Sequence, residues 1–198
     1  MVDAYDGPVT VKASSRQAIV DAAAQLIRAS GVQGTSISDL IAASGTSAGA
    51  IYHHFPSKNA IVVEVAREAM AWPMAALAEY RDRPASPSDL LSYAMTALTD
   101  APELGDLLIA LGAGAATDDD LGQQLRDEVG RLRDSVEETM LAWAMANGVP
   151  HGRVQGYSQL LIGLTLGFVS QRRLVSNFDE QSYAAQAVRL MALPQAEG

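Results

Sequence analysis

Three groups of residues in this chain have types and spacings that could do chemistry. Gly45-Thr46-Ser47-Ala48-Gly49 matches the G-x-S-x-G pattern of a serine nucleophile. That pattern works on a sharp strand-to-helix turn that exposes the hydroxyl, whereas here it follows ISDLIAAS, a segment with helical spacing. The histidines are His53, His54 and His151, and there is no cysteine. Neighbouring residues on a helix project about 100° apart, so His53 and His54 do not converge on one ion, and no carboxylate spacing completes a metal sensor's site. The third group is Ala48, Gly49, Tyr52, His53 and Lys58. It sets hydrogen-bond donors beside a stretch with almost no side chain, where a backbone can approach a large partner closely. That chemistry is recognition rather than catalysis.

The third group needs scaffolding, and residues 36–58, SISDLIAASGTSAGAIYHHFPSK, supply it. Ser36 and Asp39 have the spacing of a capping box, and Ile37, Leu40 and Ile41 then share one helical face. Gly45 suits the left-handed conformation that ends a helix. Thr46 or Ser47 can cap a second short helix, about Ser47 to Phe55. On a helical wheel Ala50, Ile51 and His54 fall on one side, and Ala48, Gly49, Tyr52 and His53 on the other. A helix this short needs neighbours, so Ile51 packs inward and His54 is expected as a core histidine. The outer side meets what a helix in a DNA major groove requires.

Residues from Ser14 to about Met70 resemble the DNA-binding domain of the TetR (tetracycline-repressor-like) family. The residues that carry the likeness are Arg16, Ile19, Ala22, Ala23 and Leu26, then Gly31, Gly34-Thr35-Ser36, Ile41-Ala42, Gly45, Gly49, Tyr52-His53-His54-Phe55 and Ser57-Lys58. They cover roughly the first third of the chain; beyond it only length and helical character agree. The resemblance implies double-stranded operator DNA, a homodimer and a small-molecule effector as partners, with no catalytic residues and no cofactor. It implies DNA contacts by Thr35, Ser36, Thr46, Ser47, Ala48, Gly49, Tyr52, His53 and Lys58. Ala48 departs from the family pattern, which often has a larger polar or basic residue there. Effector binding would move the helix that starts at Ser57, and release the DNA.

The net charge of −9 argues against a simple nucleic-acid binder, but residues 1–60 are neutral overall and the acid lies in the rest. A shallow salt dependence per subunit is expected. Hydrophobic residues make up 48% of the chain, enough for a sizeable core. The longest apolar run, Leu160 to Val169, falls short of the roughly 18–20 residues of a membrane span. A soluble, cytoplasmic protein without disulfides or thiolate metal sites is expected.

No strand pattern occurs, so the fold expected is all-α, about nine helices: a mobile tail over 1–13, a helix-turn-helix DNA-binding domain over 14–57, and a ligand-binding and dimerisation domain over 58–198. A first helix runs from Ser14 or Ser15 to Ala29, with Ser14 and Gln17 as a capping box. The helix after Ser57 is expected to run to about Ala71 and to break or kink at Pro73. Helices follow over about 88–99, 104–116 (loose, with Gly112-Ala-Gly114 too short for a dinucleotide motif), 118–147, 152–177 and 180–193. Lys58 sits in a first turn, where the helix dipole disfavours a cation, unless a phosphate lies nearby. The residues Met70, Trp72, Met74, Met95, Leu98, Met140, Trp143 and Phe168 fall on the helices that enclose the family's effector pocket, and suit an apolar or aromatic ligand. In the helix over 152–177, Gly156, Leu160, Gly163, Gly167, Ser170 and Leu174 form a stripe along one face. Apolar nearly all round, this helix is expected to be buried nearly all round, with the stripe meeting a second copy across a two-fold axis.

Overall fold

Serine and aspartate caps delimit most of the helices. The computed structural model describes residues 14–80 and 84–192; the expected tail over 1–13 and Leu193 lie outside these. Nine α-helices occur among the described residues: α1 Ser15–Ser30, α2 Ile37–Ser44, α3 Ala48–His54, α4 Lys58–Glu79, α5 Pro87–Asp100, α6 Pro102–Ala115, α7 Asp119–Ala146, α8 Val154–Leu174 and α9 Glu180–Met191. A single 3-10 turn over His151–Arg153 leads into α8, and no strand is present among the described residues. Ser36 and Asp39 form the expected capping box. A second box, Ser86 with Asp89, starts α5 at Pro87. Ser14 accepts the Gln17 amide N–H, but the Gln17 side chain turns to Asp21 and Glu68, so that expected box is half formed.

The apolar stripes bury in two cores. The first gathers Ile19 and Ile27 of α1, Leu40 of α2 and Ile51 of α3 around the first half of α4, and includes Leu111 of α6 and Leu121 of α7. Ile61, Val62 and Val65 of α4 belong to this core, together with Leu107 of α6 and Leu125 of α7. The second core joins α5, the latter half of α7, α8 and α9 around Leu91, Met95, Met140 and Phe168. Gly114 lets α6 approach the α1–α2 turn, since a Cβ there would lie 2.6 Å from a Val32 methyl. That is the work of the Gly112-Ala-Gly114 segment, and α6 is continuous, not loose.

One further expectation is corrected. Helix α4 does not stop near Ala71 but continues through Pro73 to Glu79. Proline removes one i→i−4 hydrogen bond, and burial of Ala76 and Leu77 beyond it holds the helix together. Within the single chain helix α8 leaves Leu160 56% and Leu174 80% exposed, on the face that the expected second copy would cover. No helix among the described residues is long and apolar enough to cross a membrane.

Candidate functional site

The geometry of α3 follows from its two ends. Gly45, at φ 67°, closes α2 in the left-handed conformation. Ser47 then caps α3 by accepting the Ala50 N–H at 3.1 Å. Ile51 is fully buried against the first core while Tyr52, one residue on, is 56% exposed. Ser47, Ala48, Gly49, Tyr52 and His53 all lie on the exposed surface. Thr46 is half-buried, its hydroxyl 2.7 Å from that of Ser44. The result is a narrow shelf, flat at Ala48 and Gly49 and carrying donors at Tyr52 and His53.

The neighbours of the shelf hold it rigidly. His54 is not a core histidine: it is half-buried, with Nε2 2.7 Å from the Ser15 hydroxyl, and links α3 to the start of α1. The Arg16 guanidinium lies 5.1 Å from the centre of the Phe55 ring and pairs with Glu64 of α4 at 2.8 Å. Ser36 is exposed and bonded to Asp39 at 2.6 Å. The Ser36 hydroxyl, followed by its N–H, holds the Asp39 carboxyl below its ordinary pKa. Thr35 is buried and donates to the Gly31 carbonyl at 2.9 Å, which withdraws its side chain from the surface. Lys58 is not simply solvated. Its Nζ donates to the carbonyls of Val32 at 3.0 Å and Thr35 at 3.2 Å, clamping the α1–α2 turn. An ammonium has three donors, so one N–H remains for a further acceptor.

The G-x-S-x-G segment makes no nucleophile elbow. It spans the turn between two helices, and the Ser47 hydroxyl is engaged as a cap. Among the described residues no three His, Cys, Asp or Glu side chains gather where they could hold a metal ion.

A cavity of about 600 Å³ opens in the body between α4, α5, α6, α7 and α8. Of the expected lining residues, Met70, Trp72 and Leu98 border it. Met95, Met140 and Phe168 are instead buried in the second core, and Trp143 packs at its edge. Met74 faces a smaller cavity of about 190 Å³ beside Arg67, Glu128 and Arg131. Sequence reasoning missed Tyr80, Tyr93, Leu108, Arg126 and Ile162, which line the larger cavity. The readable signal was on α7, where Gly122, Arg126, Val129, Gly130 and Arg133 recur at helical spacing and all face it. Trp72 stacks on Tyr93 at 5.3 Å, and burial pushes the Tyr93 hydroxyl up in pKa.

The stripe on α8 divides. Gly156, Leu160, Gly163 and Leu174 are exposed, and Ser170 is half-buried. A Cβ at Gly163 would meet nothing, whereas one at Gly167 would lie 2.8 Å from the Tyr183 hydroxyl of α9. Tyr183 donates to the Leu164 carbonyl at 2.9 Å, so Gly167 is the notch that seats α9 on α8 within one subunit.

The model of the tetR family of bacterial regulatory proteins matches residues 19–65, the span from α1 into α4. The HTH-type transcriptional repressor KstR2 of Mycolicibacterium smegmatis is 31% identical over 91 residues, 46% of this chain and 44% of that protein. KstR2 of Rhodococcus jostii is 38% identical over 56 residues, 28% of each. The chain thus matches less than half the length of these curated relatives. The likeness in fold is wider. A TetR-family regulator from Cytophaga hutchinsonii superposes with a TM-score of 0.75 at 19% identity, over 93% of this chain and 96% of that one. FadR from Bacillus subtilis, in complex with stearoyl-CoA, does so with a TM-score of 0.73 at 17% identity, over 88% and 96%.

Proposed function

We propose, since this chain belongs to the tetR family of bacterial regulatory proteins, that it is a dimeric transcriptional repressor released from a pseudo-palindromic operator by a small apolar or aromatic ligand. The observation that carries the reading is the contrast across α3, with Ile51 locked in the core and Tyr52 exposed beside Ala48 and Gly49. That shelf fits a major groove, where a helix must come close before any side chain can reach a base edge. Ser47 and His53 supply polar contacts to bases, and the Ala48 methyl meets a thymine methyl. Tyr52 and the free N–H of Lys58 bind phosphates, which position the helix without reading sequence. Thr46 supports Ser44 at the turn, Ser36 meets the backbone, and Thr35 contributes its main chain alone.

Two copies join through the exposed part of the α8 stripe. Gly156 and Gly163 permit close helix approach, and Leu160 and Leu174 lose their exposure to water. A two-fold dimer presents two α3 helices to half-sites about one helical turn of DNA apart, or a multiple of it. The effector occupies the cavity in the body. Helix α4 starts with Lys58 at the shelf and lines the cavity with Met70, Trp72 and Pro73. A rigid helix that touches both sites changes the separation of the heads when the cavity fills.

The test is selection of bound fragments from the source genome by the purified protein, repeated with Tyr52→Ala. A short pseudo-palindrome recovered by the wild type and lost in the variant is the expected result. Equal recovery by both proteins would remove α3 from the interface.

A further inference from the structure

We infer that the ligand of the body cavity is an amphipathic anion: an extended apolar body whose negatively charged end is held at Arg126. The inference rests on reading this cavity as the effector site. Its walls are almost entirely hydrocarbon. Thr165 is present but spends its hydroxyl on the Leu161 carbonyl at 2.8 Å. The charged side chains that reach the cavity are Arg126 and Arg133, both exposed to solvent, and no carboxylate among the described residues lines it. In a chain of net charge −9, a cavity bordered by cations alone selects for the sign of its occupant. A cationic ligand would be repelled, and a neutral one would leave the Arg126 guanidinium without a charged partner.

The two arginines differ. Arg133 already pairs with Asp134 at 3.0 Å and Glu137 at 3.7 Å. Arg126 donates only to the neutral Gln123 among the described residues, at 3.0 Å. Beside it, Gly122 seats α7 against the end of α6: a Cβ there would lie 2.6 Å from the Ala115 carbonyl oxygen and 3.2 Å from Arg126 Nη1. A Cβ at Gly112 of α6, or at Gly130 one turn along α7, would meet nothing within 4 Å. Gly112 and Gly130 thus leave open space along the cavity wall that a long molecule can occupy. The hydrocarbon body also has apolar surface to cover, since Trp72, Val129 and Leu166 line the cavity while 42–47% exposed. A hydrocarbon body covering them removes that area from water. At about 600 Å³ the cavity is of ordinary ligand-binding size.

A free long-chain carboxylate and its coenzyme A thioester share this chemistry, the first with its charge at the chain end and the second with it on phosphates. Isothermal titration of the full-length protein with laurate, lauroyl-coenzyme A and the neutral dodecanol separates them, on wild type, Arg126→Gln and Arg133→Gln. One or both anions bind the wild type, dodecanol binds about tenfold or more weakly, and Arg126→Gln removes about that factor for the anion alone. Loss confined to laurate identifies the carboxylate; a larger loss for lauroyl-coenzyme A, shared by Arg133→Gln, identifies the phosphates. Equal binding of laurate and dodecanol, unchanged anion binding by Arg126→Gln, or no binding of either anion would overturn the inference. Operator binding is measured separately. An anion that binds through Arg126 yet leaves DNA affinity unchanged would sink ligand release and leave this inference standing.

Discussion

Arg67 of α4 donates to the buried carboxylate of Glu128 on α7 at 2.9 Å, and Arg131 engages the other oxygen of the same group. Arg67 also reaches Glu64 at 2.7 Å, and Glu64 takes Arg16, which lies over Phe55 at the end of α3. A continuous run of charged contacts therefore joins the end of α3 to the helix that carries Arg126. Glu128 is the foremost cause of the raised pKa of Arg67.

Glu128→Gln keeps the shape and removes the charge. The arginines are more than half exposed and regain water, so the expected loss of stability is about 1 kcal/mol. The larger effect falls on communication: the factor by which effector weakens operator binding drops by about fivefold or more. Chemical denaturation reads the first quantity and DNA titration with and without effector the second. A stability loss with coupling intact would make the network purely structural.

Lys58→Met removes the clamp on the Val32 and Thr35 carbonyls. Without any DNA present, stability should fall by about 1–2 kcal/mol, because two carbonyls beside a half-buried site lose their donor. A midpoint unchanged in the free protein, with DNA affinity reduced, would assign Lys58 to phosphate alone.

Gly163→Leu and Gly167→Ala should behave oppositely. The first has free space in the single chain and obstructs close approach of a second copy, so light scattering should report monomers whose fold is intact. The second drives a Cβ toward the Tyr183 hydroxyl and should destabilise the subunit by about 1–3 kcal/mol. Dimers from Gly163→Leu at wild-type affinity would move the interface elsewhere.

Acid should loosen the chain through Asp39 and Asp118. Asp118 caps α7 by accepting the Leu121 N–H, and that bond, with Asn59 and the Lys58 charge, lowers its pKa. A lowered folded-state value means that each carboxylate stabilises the fold above its unfolded pKa of about 3.9. The contribution is lost as pH falls from there through the folded value. Asp118→Asn retains a cap but no titration, so its stability should fall less steeply below about pH 4 than that of the wild type. Parallel curves would exclude Asp118 from the acid response.

What could be read in advance was local. Ser36 with Asp39, Gly45 and Ser47 act within four residues of themselves, so types and spacing determine caps and turns before any tertiary contact forms. Residues whose role depends on distant partners could not be placed this way. Periodicity marks Met95, Met140 and Phe168 as apolar and helical, but only the crossing of α5, α7 and α8 decides that they fill the core while Tyr93 and Ile162 border the cavity. The partners of Lys58 lie 23 and 26 residues away and are main-chain atoms, invisible to any pattern of side chains. Pro73 predicts a break from local chemistry alone, and packing of Leu77 beyond it outweighs one missing bond. The α8 stripe was visible as a line of small residues, yet the separation of Gly163 from Gly167 needed the position of Tyr183.

The Trp72–Tyr93 stack at the cavity wall gives the protein a built-in optical reporter. The chain has two tryptophans; Trp143 packs at the edge of the second core, whereas Trp72 lines the cavity and is 44% exposed. An occupant that excludes water from the indole shifts its emission toward the blue, while the other fluorophore stays constant. With Trp143→Phe the remaining signal is Trp72 alone, and the filling of the cavity can be followed in stopped flow on unlabelled protein, in the presence of DNA, as the order of ligand entry and operator departure.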